Sequence, residues 1–480
     1  MSAPSVFRPP IIRSAFGVLD RSLFSKTVNI AAAAVADKRN IAAWRTKLLK
    51  EETLLFGKIP SVALHPDRNL GSKGLKCLLL HPKIDPREPE TWTPTLQIGV
   101  SSREIGIIPY RLELNYDNFS YEDVMKALLP IGLRDEHDGI PGGFNQAGHV
   151  AHMNLKEMFL PYKNLIAEVL LDKNPAIKTV INKIDKVGTE SEFRTFAYEI
   201  LGGTDDLYVE TRENECSFHF DYSEVYWNSK LEAEHGRLVK LFQPGEAVCD
   251  VMAGVGPFAV PAGKKGVFVF ANDYNPKSFL YLGENIKRNK VEHYVRPFNQ
   301  DGRIFIKKAV DLVYNAYKNG EHAVTPPSRK EVRQSHPNMK KPDRAWLIRS
   351  PKRVRFPPTI NHFVMNLPAS AITFLPRFRG LYAEREPLFA PHTDTKLPLV
   401  HVYCFGPKAD DDIAFKDICE RISAELGVEM KPGDAKNANE VSIMEIRNVA
   451  PNKNMFCASF RVPPEVAFAP RTNTRRRLSV

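Results

Sequence analysis

Two glycines in the run Val248-Cys-Asp-Val-Met-Ala-Gly-Val-Gly-Pro-Phe-Ala259 mark where this chain can hold a nucleotide-like ligand. The apolar residues ending at Asp250 read as a strand, Gly254 and Gly256 permit a tight turn, and Phe258 to Val260 opens a helix. The spacing also matches G-x-G-x-x-A, the dinucleotide fingerprint, with Asp273 as its later acid. Pro257 argues against that reading. A pyrophosphate rests on free N–H groups at a helix N-terminus, and proline removes one of them. A ligand without pyrophosphate suits the turn better, and S-adenosylmethionine is one: a sulfonium, a ribose diol and an adenine.

Further strand ends carry groups for such a ligand. Val267 to Asp273 is a buried-strand pattern ending in an acid, placed to accept from two ribose hydroxyls. A helix from Ser278 to Asn289 follows, then Val295 to Gly302, a third strand whose terminal Asp301 suits the adenine amine. Phe363-Val-Met-Asn366-Leu-Pro368 is a fourth strand tipped by Asn-Leu-Pro, and its amide can meet the edge of a planar nitrogen acceptor. Strand-end groups on one rim of a parallel sheet are where open α/β folds bind ligands. A methyltransferase is therefore expected, with a dehydrogenase as the competing use of the same turn.

At this point the chain resembles the archaeal and eukaryal type of tRNA (guanine(37)-N1)-methyltransferase over roughly residues 60 to 468. The resemblance rests on Gly148 to Leu155, Glu192 to Phe196 with Leu201-Gly-Gly203, and Val225 to His235. It continues through Asp250 to Phe258, Asn366 to Pro368 and Val449 to Met455. Guanine N1 carries a proton at neutral pH, so its methylation needs a base for that proton and a donor where charge develops on O6. By resemblance Glu234 is the base, Arg194 faces O6, and Tyr226 and Asn366 position the guanine. The cofactor set it implies is His235, Met252, Asp273, Tyr274, Asp301, Gly302 and Asn366. The family also places arginine at the position of His235, which leaves the contact there open. The same residues read without the family are ordinary: Glu234 a helix carboxylate, Arg194 a surface arginine. Other readings are a same-fold methyltransferase acting on another RNA base or a protein amide, and a non-catalytic RNA-binding protein.

The elements that must position these groups follow from the whole chain. Its 480 residues suffice for two or three domains, and the formal charge of +11 favours a polyanionic partner, here tRNA. No apolar run reaches bilayer length, so no membrane partner is expected, and the protein is read as a monomer. Six cysteines lack C-x-x-C spacing and sit in apolar segments, which predicts reduced core thiols and no zinc site. His149 and His152 lack a second ligand cluster and are read as structural.

The expected fold class is α/β: a class I Rossmann-like methyltransferase domain, with a seven-stranded, mostly parallel sheet, after N-terminal α+β tRNA-binding domains. Residues 1–52 read as a basic arm, with nine Lys/Arg against two acids in the first fifty, a candidate transit peptide, followed by a helix over Ala31–Ala34 and Asp37–Lys50. That arm predicts a mitochondrial matrix pool beside nuclear and cytoplasmic ones. Residues 53–130 are expected to form a small tRNA-recognition domain, 131–210 a second α+β module, and 211–470 the catalytic domain. Within the last, Lys318 to Thr359 carries eleven Lys/Arg against three acids and reads as a disordered basic insertion. Residues 471–480 form a basic tail.

Overall fold

A computed structural model describes residues 7–12, 18–55, 59–130, 133, 139–184, 193, 195, 197–325, 352–392, 396–408, 410–450 and 452–470. The chain forms two compact units: Met1–Phe144 with Val150–Ile184 and Tyr198–Asp205, and Asn145–His149 with Asp185–Ala197 and Asp206–Val480.

In the first unit β1 (Lys26–Val35) lies inside a sheet of order β2-β3-β1-β4, with β2 at Val62–Leu64, β3 at Lys76–Leu79 and β4 at Ile105–Leu114. The alanine run 31–34, expected as helix, is therefore strand. Its backbone pairs residue for residue with β4, and its side chains alternate between two cores. Val28, Ile30 and Ala32 join one core with Phe24, while Ala31, Ala33 and Val35 join another with Trp44 and Leu48. Small residues suit a strand buried on both faces, and that burial overrides alanine's helix propensity. The helix expected next is present as α1 (Ile41–Lys50).

The described part of the basic arm belongs to this unit. Phe7, Leu19 and Phe24 are buried in its core, and Arg21 pairs with Glu168 at 2.9 Å and Asp172 at 2.6 Å. Those acids lie on α2 (Lys163–Lys173), which packs on β6 (Thr179–Lys183) and β7 (Tyr198–Gly203) of the sheet that also holds β5 (Val150–Met153). Pro161 lies within Glu157–Tyr162, which forms a 3-10 turn, and the α-helix begins only after it.

The second unit opens with a hairpin, β8 (Tyr208–Glu213) and β9 (Cys216–Asp221), and then α3 (Glu232–Leu241). Its sheet uses β10 (Ala247–Asp250), β11 (Phe268–Asn272) and β12 (Val295–Phe298), joined through α4 (Ala259–Lys264) and α5 (Pro276–Asn289). After α6 (Gly302–Lys318) comes a ribbon, β13 (His322–Thr325) with β14 (Lys352–Arg355). Then follow β15 (His362–Met365), β16 (Leu399–Pro407), α7 (Asp411–Leu426), β17 (Lys431–Pro432), β18 (Glu440–Ala450) and β19 (Lys453–Arg461). The order is β12-β11-β10-β15-β16-β19-β18-β17. Strands β12, β11, β10, β15 and β16 run parallel, and β19 is antiparallel to both neighbours. The expected seven strands are thus present, with the two-residue β17 as an eighth at the edge. All six cysteines are free and buried, as expected. Among the described residues no helix is long and apolar enough to cross a membrane, and no cluster of His, Cys, Asp or Glu could hold a metal ion.

The insertion departs from expectation at its two ends, and residues 326–351 lie outside the described set. Its flanks pair as β13 and β14, and Phe356 is buried, stacked 3.8 Å from the Phe268 ring with the Arg296 guanidinium 4.5 Å from its own. Phe356 therefore serves the core of the sheet. Truncating such a ring removes its transfer free energy and leaves a cavity, so Phe356→Ala should cost about 3–5 kcal/mol. Denaturant unfolding measures this, and a cost below about 1 kcal/mol would place Phe356 outside the core.

Candidate active site

Strand register fixes the rim on which the site is built. Asp250 lies level with Ala271 on one side and Val364 on the other, and Asn272 lies level with Phe298. The chain runs outward from β10 through β11 to β12 and returns to β15 on the other side of β10. That reversal opens the crevice where parallel sheets bind ligands.

The Gly-rich turn is stitched to both neighbouring strands. Val251 N–H donates to Val364 O at 2.9 Å, and Ala253 N–H to Asn272 O at 2.7 Å. Gly256 has φ +100°, and a Cβ there would sit 2.8 Å from Val260 Cγ2 and 2.9 Å from Leu282 Cδ1. Only glycine fits on both counts.

The predicted acids divide by environment. Asp273 accepts from Gly254 N–H at 2.7 Å and from Asn275 N–H at 2.9 Å, and burial still pushes its carboxyl up to about 6. Asp250 is fully buried, and neither of its oxygens meets a hydrogen-bond partner among the described residues. Burial first, then the charge of Asp273, holds its carboxyl well above the usual carboxylate range. Asp301 caps α6 by accepting from Arg303 N–H at 2.7 Å. Gly302 packs where a Cβ would lie 2.8 Å from Val251 Cγ1 and 3.1 Å from the Phe374 ring. Met252 and Asn366 are half-buried next to the ends of β10 and β15. Tyr274 is exposed, its ring 5.8 Å from that of Phe193. Two buried acids, one with unmatched oxygens, suit a cationic ligand bearing hydroxyls. The residues present therefore fit the expected S-adenosylmethionine.

Sequence reading overlooked Asn272, which organises this rim. Its side-chain amide donates to Val251 O at 3.1 Å and Gln300 O at 2.9 Å, and its oxygen accepts from Gln300 N–H at 2.9 Å. The available signal was a polar residue closing an otherwise apolar run. Asn285 adds a second tie, donating to Val255 O at 3.2 Å and accepting from His219 N–H at 2.9 Å.

Glu234 is buried rather than an exposed helix carboxylate. It accepts from Arg237 Nε at 2.6 Å and Nη2 at 2.7 Å, and from the Tyr403 hydroxyl at 2.5 Å. The Glu234 hydrogen bond holds the Arg237 guanidinium above its ordinary value, and burial raises the Tyr403 phenol well above its own. Neither partner was foreseen from the sequence. His235 is also buried, its Nδ1 bonded to Glu213 and its ring 4.7 Å from Phe258, which leaves only Nε2 for a cofactor. Phe258 in turn lies 6.0 Å from Tyr403, so one ring ties the glycine turn to the pocket of Glu234. Tyr226 is half-buried, its oxygen 3.4 Å from Asn228 Nδ2. Arg194 lies outside the described residues, although Phe193 beside it is placed.

Residues 209–333 match the model of the TRM5/TYW2 methyltransferase domain, and residues 122–206 that of the TYW2 N-terminal domain. A protein of Neurospora crassa named tRNA (guanine(37)-N(1))-methyltransferase is 56% identical, with 97% of this chain and 96% of the relative covered. One of Schizosaccharomyces pombe with the same name is 42% identical over 94% of this chain and 95% of the relative. The chain belongs to the tRNA (guanine(37)-N(1))-methyltransferase family. Its fold is also that of Trm5b from Pyrococcus abyssi (TM-score 0.56, 22% identity, 90% of this chain and 99% of that one). A solved complex of aTrm5 with tRNALeu is similar in fold, with TM-score 0.55 and 18% identity over 90% of this chain and 99% of that one.

The unmatched acid of this family member has a measurable cost. A carboxyl whose pKa is raised on folding favours the fold below its unfolded pKa, and that contribution is lost as pH rises toward the folded pKa. For Asp273 the loss falls between 3.8 and about 6; for Asp250, raised further, it extends upward from 3.8. Asp250→Asn removes the charge and nearly keeps the shape. The cofactor-free variant should be more stable than the native chain by about 1–3 kcal/mol near neutral pH, with the gap widening as pH increases. Denaturant titrations at several pH values test this, and a gap that narrows with pH would refute the assignment.

Proposed function

We propose that this protein transfers the methyl group of S-adenosylmethionine to N1 of guanosine 37 in tRNA, beside the anticodon. The observation that carries the reading is 56% identity across 97% of the chain to a relative with that named activity. The strand-end acids and the buried carboxylate on α3 agree with it chemically. When bound, the cofactor supplies an electrophilic methyl group on a sulfonium.

The chain's own residues do the rest. Asp273 and Asp250 supply negative charge and acceptors to the cofactor's hydroxyls and cationic groups, Asp301 faces the adenine amine, and His235, Met252, Tyr274 and Gly302 complete its surroundings. Tyr226 and Asn366 hold the guanine edge, and Arg194 faces O6. Glu234 takes the N1 proton. Its carboxylate is held by three donors, so one of them must give way or share an oxygen when the proton arrives. Arg237 is suited to retain one oxygen while the other accepts, because a guanidinium bonds both oxygens separately and keeps its own protons.

The reading is tested with purified protein, S-adenosylmethionine carrying a labelled methyl group and tRNA transcripts. Label should appear as N1-methylguanosine at position 37 and be absent when that guanosine is replaced by adenosine. Glu234→Gln should slow single-turnover methyl transfer about a hundredfold or more while changing tRNA affinity little. Transfer to another base or to protein would overturn the substrate assignment. A near-native rate in Glu234→Gln would remove this residue from the chemistry.

A further inference from the structure

Beneath Glu234 the sheet presents a face far more polar than a core face needs to be. His401 and Tyr403 stand two apart on β16 and so share that face, and their cross-strand partners on β19 are Ser459 and Cys457. His362 pairs with Leu399, which lies on the same face two residues before His401. All five side chains are buried or nearly so, with the Phe242 ring packed 4.8 Å from His362.

These groups follow one another along the face. The Tyr403 hydroxyl bonds Glu234 at 2.5 Å, and Tyr403 stands directly across the strand pair from Cys457. Cys457 Sγ lies 3.8 Å from Ser459 Oγ, and Ser459 Oγ lies 2.8 Å from His401 Nδ1. His401 Nε2 is 3.0 Å from His362 Nδ1, and His362 Nε2 is 3.4 Å from Glu246 Oε2. Glu246 retains 25% side-chain exposure and therefore reaches water. Register gives the series a direction. Tyr403 follows the Met365–Val402 pair and is level with Asn366 on the cofactor rim, whereas His362 is level with Val248, next to the opposite edge.

We propose that Tyr403, Cys457, Ser459, His401, His362 and Glu246 form a proton-exit relay that carries the proton taken by Glu234 to solvent at the sheet edge opposite the cofactor. The proposal rests on Glu234 being the base for guanine N1. The protonated Glu234 gives its proton to the Tyr403 oxygen, whose own proton passes to the Cys457 sulfur and then to the Ser459 oxygen. Ser459 protonates His401 Nδ1; His401 loses its Nε2 proton to His362 Nδ1; His362 loses its Nε2 proton to Glu246, which releases it to water. Each group gains one proton and loses one, no electrons move, and the hydroxyls and rings reorient before the next passage. A neutral imidazole is the group that accepts on one nitrogen while donating from the other. Burial, reinforced by His362 and Arg237, holds the His401 imidazole neutral by keeping its pKa well below the ordinary value. Arg237 cannot substitute for the relay, since a guanidinium does not give up its proton. At the exit, burial alone would raise the Glu246 carboxyl, but the His362 and Gln243 hydrogen bonds and the Lys265 charge leave it below its usual value. It is therefore ionised and ready to accept at neutral pH.

The experiment compares, within one turnover, methyl transfer by rapid quench with proton release reported by a pH-indicator dye. In the native enzyme the two should coincide. Ser459→Ala cuts the relay away from the rim, so methyl transfer should stay within about twofold while proton release lags at least tenfold, and Ser459→Thr should restore coincidence. Glu246→Gln, at a partly exposed position, should show the same lag and serves if Ser459→Ala does not fold. Coincident release in a folded cut variant, or an equal slowing of both signals, overturns the relay and leaves Glu234 untouched. If Glu234→Gln methylates at the native rate, the base assignment itself has failed, and the relay with it.

Discussion

One amide holds the site together. Asn272 closes a strand that is buried along its whole length, and its side chain bonds the main chain following β10 and the main chain following β12. Parallel strands end with main-chain groups that have no partner in the ladder, and leaving them buried and unpaired is costly. A single carboxamide, donor and acceptor at once, closes three strand ends level with one another. The glycine turn can then rise from Asp250 in one conformation, which Asp273 fixes further through Gly254. Shift that level by one residue and the acids of neighbouring strands no longer share a rim.

The second unit distributes charge unevenly across the two ends of its sheet. At the strand-end rim the buried Asp250 oxygens make no hydrogen bond among the described residues, a destabilised arrangement that a bound ligand can relieve. On the face beneath α3 the buried polar side chains Glu234, Tyr403, His401 and His362 each bond a polar neighbour, and Glu213 pairs with His235 beside them. A fully satisfied polar network holds its members rigidly. The unmatched rim and the satisfied network meet at Phe258, whose ring touches the environment of both His235 and Tyr403.

Much of this was legible in the sequence because it is local. The buried run Phe268–Asn272, the strand Val295–Phe298, the helix Pro276–Asn289 and the two glycines of the turn announce themselves within a few residues. What stayed hidden depends on distance along the chain. Tyr403 meets Glu234 across 169 positions, and His401 meets His362 across 39, so no window of sequence contains either pair. The alanine run 31–34 misleads for the same reason. Its helix propensity is visible locally, while the partner strand that overrules it begins at Ile105. Phe356 was hidden in a third way, by the basic residues around it, which dominate composition but contribute nothing to where its ring packs.

The polar face under α3 also explains why Glu234 can occupy a buried position at all. An ionised carboxylate removed from water needs several donors or a paired charge. Arg237, three residues on along the same helix, supplies the charge, and Tyr403 supplies a donor from the sheet. That arrangement gives the Glu234 carboxylate a paired charge on its own helix and a hydroxyl donor from the sheet. The strand that supplies its tyrosine also supplies His401, two residues nearer the opposite edge. The period of a β-strand thus places the tyrosine that bonds Glu234 and the imidazole of His401 on one face.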